Sequence, residues 1–236
     1  MKIITELKEY LKNINTEKYS FNTPAEKRKF FLRVFLTYFL VVFGISIIIG
    51  IIRLVFKISF SPSNLETPTF WFINIFAFPI LEETAFRLPL IYKRLNLSLS
   101  VLLLSYYTLS IVLVGDVINM SDMILTRMGL SVFIAVLTYF IVGIKTIGFK
   151  VKEFWENHYK IIFYTLLLLF TFRHLDSYML TSLVFLFSPL LLLPQFIGGV
   201  FFSFTRVRLG FIYVILLHMM INFIVFTPRL ILYYAN

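Results

Sequence analysis

Seven polar or charged side chains interrupt runs that are otherwise aliphatic or aromatic: Glu82, Glu83, Arg87, Arg173, His174, His218 and Asn222. A charge at the centre of a bilayer costs roughly 2.5–3.5 kcal/mol even on the mildest scales, so such groups are rare and tend to be functional. Glu83 and Arg87 stand four residues apart in Pro79-Ile-Leu-Glu82-Glu83-Thr-Ala-Phe-Arg87 and can pair on one helix face. Glu82 points about 100° away from Glu83, leaving it free to face a cavity. His218 and Asn222, also four apart, present an imidazole and an amide on one face. A carboxylate near a histidine can activate water as a general base. A second histidine and an amide can donate hydrogen bonds to a developing oxyanion. That set suits amide hydrolysis, although a proton or ion pathway uses the same residue types.

The elements that position these groups follow from composition. The chain has 236 residues, 59% of them hydrophobic and only 14% charged, with 29 Phe, 13 Tyr and no Cys. Its mean hydropathy is +0.89. This excludes a soluble enzyme, a disordered chain and a disulfide scaffold. About 20 apolar residues cross a bilayer as a helix. Seven stretches approach that length: 34–52, 70–92, 97–115, 128–147, 159–175, 179–205 and 209–226. The fold class expected is an all-α polytopic bundle of about seven spans. Residues 1–33 read as an amphipathic cytoplasmic segment broken at Pro24, and residues 34–236 as one transmembrane domain. With the N-terminus inside, 16 Lys and Arg fall on the cytoplasmic side and 4 outside, as the positive-inside rule asks. Pro79 lacks an N–H, so a carbonyl before it must find water or another protein group. The expected site is a polar pocket between helices, open to water on one side.

Three separated motifs resemble the type II CAAX prenyl endopeptidase and bacteriocin-processing (Abi-like) family of intramembrane glutamic proteases. They are Glu82-Glu83-Thr-Ala-Phe-Arg87, Phe170-Thr-Phe-Arg-His174 and His218-Met-Met-Ile-Asn222, with a glycine-bearing run from Gly198-Gly199 to Gly210 before the last. The resemblance spans residues 70–226. It implies that Glu82 activates the attacking water, that His174 assists, and that His218 and Asn222 hold the oxyanion. Glu83 and Arg87 fall on supporting positions. It implies neither a covalent intermediate nor a required metal, and a membrane-associated peptide or protein as substrate. In many members the first histidine follows the glutamates sooner; at that spacing this chain has Asp116, read as a loop acid.

Other readings stay in view. The carboxylates, His218 and Asn222 can serve as interhelical hydrogen-bonding contacts, and Arg173 and Asp176 read as interface residues, with Asp176 placed to orient His174. A non-catalytic interaction or immunity protein of the same fold is one alternative; a small proton-coupled transporter is another, although no internal repeat is visible. H-E-x-x-H is absent and no catalytic metal or other cofactor is expected. The basic residues are dispersed over inner loops, so a nucleic-acid partner is not expected. The partners are the lipid bilayer and the substrate. Abundant Lys, Asn, Ile and Phe suggest a bacterial membrane.

Overall fold

The computed structural model describes residues 2–17, 19–59, 68–115 and 123–235. Asp116 lies outside them. Helices α1 (Lys2–Lys12), α2 (Pro24–Phe56), α3 (Pro68–Phe72) and α4 (Phe78–Phe86) come first, α3 and α4 being joined by a π-helical turn, Ile73–Ala77. Then follow α5 (Arg94–Val114), α6 (Ile124–Gly143), α7 (Lys145–Asn157), α8 (Tyr159–Arg173), α9 (Ser182–Leu191), α10 (Leu193–Arg208) and α11 (Phe211–Ala235). Among the described residues there is no β-strand.

Among the described residues, five helices are long and apolar enough to cross a membrane: Pro24–Phe56, Arg94–Val114, Ile124–Gly143, the α9–α10 stretch Ser182–Arg208, and Phe211–Pro228. The other two expected spans are shorter than the hydropathy pattern suggests. The stretch 70–92 is helical only to Phe86 and then turns at Leu88–Leu90, where Pro89 stands. The stretch 159–175 gives a helix of 15 residues. At 1.5 Å per residue that is about 22 Å, below the roughly 30 Å of a hydrocarbon core. Hydropathy measures transfer of side chains and is blind to where a helix stops.

The exposed surface is what lipid requires. On α2 only Phe31, Val34, Tyr38 and Ile49 are buried, while Leu36, Leu40, Phe43, Ile47 and Leu54 face outward. A soluble protein rarely exposes so continuous an apolar face. Pro24 starts α2 rather than merely breaking the chain. Thr23 Oγ1 accepts the Glu26 N–H at 3.2 Å, and the Glu26 carboxylate accepts the Asn22 N–H at 3.0 Å, a close variant of the reciprocal N-terminal cap.

The amphipathic N-terminal helix is docked on the bundle. Tyr10 meets Phe163 and Phe204 edge-on at 5.8 and 5.5 Å, and burial raises its phenol well above the usual pKa. Arg208, from the end of α10, donates to Asn15 Oδ1 at 3.2 Å and to the Glu17 carbonyl. Arg208→Ala is expected to loosen α1 by about 1.5–3 kcal/mol, the worth of hydrogen bonds from a charged group. Trypsin should then cut at Lys8 and Lys12 faster than in the wild type; equal digestion rates would contradict this anchoring.

Candidate active site

Four helices supply the site. Helix α4 carries Glu82 and Glu83, with Arg87 as its C-cap; α8 ends in Arg173, with His174 as its C-cap; α11 carries His218 and Asn222. Helix α10 passes between them, and its paired glycines allow the approach. A Cβ on Gly199 would collide with Leu167 and come within 3.1 Å of Arg87 Nη2. One on Gly198 would come within 2.7 Å of the Tyr38 hydroxyl. From the other end of α10, Arg206 Nε donates to the Arg87 carbonyl at 3.1 Å and its Nη2 to the Leu88 carbonyl at 3.3 Å. Each of these carbonyls also accepts a 3₁₀-type N–H, from Leu90 at 3.2 Å and Ile91 at 3.4 Å, so Arg206 adds a second, charged donor at the C-terminal end of α4, where a cation is favourable.

His218 stands between the two glutamates. Its Nδ1 is 2.7 Å from Glu83 Oε1, and its Nε2 is 3.8 Å from Glu82 Oε2. The ring stacks on Phe202 with centroids 4.6 Å apart. The Nδ1 proton is directed at Glu83, so Nε2 is the atom turned toward Glu82. At 3.8 Å the Nε2 and Oε2 atoms are too far apart for a direct hydrogen bond, and a water beside them can join both. The neighbouring glutamates thus do not diverge functionally as their 100° offset suggests. An imidazole with nitrogens on two edges reaches both.

Glu83 is fully buried, and its second oxygen lies 3.6 Å from Arg87 Nε. The Arg87 guanidinium sits 3.7 Å over the Phe170 ring, and its Nη atoms have no hydrogen-bond partner among the described residues. Its charge is therefore held by one carboxylate and by aromatic faces. Glu82, 5% exposed, is ion-paired with Arg173 through Oε1. Sequence reasoning missed this contact, treating Arg173 as an interface residue. The available signal was its place beside His174, in a chain where a buried carboxylate, Glu82, had no assigned cation.

His174 reaches the same region. Its Nδ1 lies 2.8 Å from the Phe170 carbonyl, which leaves Nε2 as the acceptor, and it stands within electrostatic range of Glu82. Helix α8 is short and ends beside the glutamate, which its last residue, Arg173, meets.

Asn222 is turned to another task. Its Nδ2 donates to the Asn74 carbonyl at 2.8 Å. In the π-helical turn Phe78 N–H bonds the Ile73 carbonyl, so the donor next in that register would be residue 79, which is proline. Asn222 thus satisfies the carbonyl that Pro79 leaves open, which is the compensation a membrane-embedded proline needs. Asn222→Leu is expected to cost about 1–3 kcal/mol by orphaning this carbonyl. Pro79→Ala should reduce that penalty by restoring an N–H. Thermal unfolding in detergent of the two single variants and the double variant tests it; additive losses would contradict the coupling.

The expected water-open pocket is not what surrounds the carboxylates, since both are buried and Arg173 covers Glu82. The cavity that adjoins them is apolar and has Arg173 in its wall. Among the described residues, no group of three or more His, Asp or Glu is arranged to hold a metal ion. No protein-family model, curated protein or solved structure matches this chain.

Proposed function

We propose that the protein is an intramembrane endopeptidase that hydrolyses a peptide bond of a membrane-associated substrate with water activated by Glu82. The observation that carries this reading is the array Glu82–His218–Glu83: a buried carboxylate facing an imidazole whose other nitrogen is held at 2.7 Å by a second carboxylate. Glu82 takes a proton from water, and the hydroxide oxygen bonds to the carbonyl carbon while the C=O π pair moves onto oxygen. Collapse of that intermediate breaks the C–N bond, and Glu82 returns the proton to the departing nitrogen. Glu83 keeps the His218 ring in one tautomer, with Nε2 turned to the reacting water. His174, its Nδ1 held by the Phe170 carbonyl, keeps Nε2 unprotonated as a further base within electrostatic range of Glu82. Arg173 Nη1 has to release Glu82 before water can reach the carboxylate, while the guanidinium stays over the Tyr107 ring, so the buried pair is the resting state. The chemistry uses water and these side chains without a metal.

In this reading the α3–α4 rod and α8 complete a seven-segment arrangement with the N-terminus on the cytoplasmic side of a bacterial membrane. The basic residues of α1, of α7 and of the end of α10 support that orientation. The test is cleavage of a membrane-anchored peptide library by the full chain in liposomes. Wild type should release products, and His218→Ala and Glu82→Gln should not. Equal product release by all three would overturn the proposal.

A further inference from the structure

A cavity of about 330 Å³ lies between α4 and α6, with α5 as its floor. Leu81, Leu103, Met128 and Val132 give it apolar walls, and Tyr107 and Arg173 join it to the carboxylates. It is roughly twice the size of a 150 Å³ cavity that accepts benzene, so one branched or aromatic side chain with its adjoining backbone fits. Met128 and Val132 are half exposed on α6, so the groove opens sideways toward lipid.

Two donors at the site side of this groove have no partner among the described residues. Arg173 Nε and Tyr107 Oη are buried without a hydrogen bond. The Arg173 guanidinium lies 4.8 Å over the Tyr107 ring and pairs with Glu82 through a different nitrogen. Buried donors left unmade are unfavourable and call for an acceptor. The amide of Asn222, the donor expected from sequence, is taken by the Asn74 carbonyl.

We propose that this groove seats the apolar side chain beside the scissile peptide bond, and that Tyr107 Oη–H and Arg173 Nε–H donate to that bond's carbonyl oxygen. The inference rests on the endopeptidase reading and adds a substrate class to it: peptides with a branched aliphatic residue at the cleaved bond. A lysine at that position is rejected, because it would be buried beside the Arg173 charge without a counter-ion.

The experiment is calorimetric binding to the full chain in phosphatidylcholine nanodiscs. The probes are tripeptide aldehydes ending in a leucine, alanine or lysine side chain, and the leucine peptide with a methyl group in place of the aldehyde. The leucine aldehyde should bind about 50-fold more tightly than the alanine one, from three buried carbons. Val132→Trp should erase that preference by filling the groove. Tyr107→Phe should weaken the leucine aldehyde roughly tenfold and leave the methyl analogue unchanged. Equal binding of the leucine and alanine aldehydes, or an equal effect of Tyr107→Phe on both leucine probes, would overturn the proposal. So would absence of binding, the result if lipid tails alone occupy the groove. Because binding is read without turnover, its failure leaves water activation by Glu82 standing, whereas cleavage by Glu82→Gln would remove the latter alone.

Discussion

Glu82→Gln is expected to lower the single-turnover cleavage rate by about 10²–10⁴-fold, the usual contribution of a positioned general base. Glutamine is nearly the same size and its carbonyl oxygen can still accept from Arg173, so the α4–α8 contact survives. It lacks a basic oxygen to take the proton of water. The variant should therefore insert and unfold at nearly the wild-type temperature while losing turnover. Glu82→Asp provides the matching geometric control. Its carboxylate stays basic but retreats by one methylene from both His218 and Arg173, so partial activity is expected. Activity of Glu82→Gln within threefold of wild type would dismiss Glu82 as the base.

The second large effect is on stability. Glu83→Ala removes the carboxylate that holds both His218 Nδ1 and Arg87, and leaves the Arg87 charge buried at 1% exposure. Breaking a buried pair from one side costs about 3–5 kcal/mol. Arg87→Met with Glu83→Gln removes the cation and keeps an acceptor for His218 Nδ1–H. Buried pairs replaced together by neutral groups are often tolerated. The double variant is therefore expected to be more stable than Glu83→Ala, with a cycle energy of about 0.5–3 kcal/mol between the two positions. Guanidinium or thermal unfolding in detergent measures it, with Glu83→Gln and Arg87→Met as the remaining corners. Strict additivity would mean that the 3.6 Å pair carries no coupling.

The polar residues of the site were legible because the bilayer makes them conspicuous. Glu82, Glu83, Arg87, His174 and His218 stand out against aliphatic neighbours, and the structure brings them to one region. Their partnerships were less legible. The helical offset of Glu82 from Glu83 is a property of one helix, whereas both carboxylates are met by an imidazole from α11. Likewise the i,i+4 spacing of His218 and Asn222 holds, yet Pro79 on another helix decides where the amide bonds.

The residues alone determined that the chain is helical, that its surface belongs in lipid, and that a few buried ionisable groups must find one another. Those are consequences of transfer energies and of the need to satisfy backbone groups without water, which depend only on local composition. Tertiary structure decided that α8 stops at 15 residues, that Arg173 pairs with Glu82 across the bundle, and that an apolar groove meets two orphan donors. Such features arise from the distances between helices far apart in sequence. Close approach at Gly198 and Gly199 sets those distances, and helical periodicity carries no record of them.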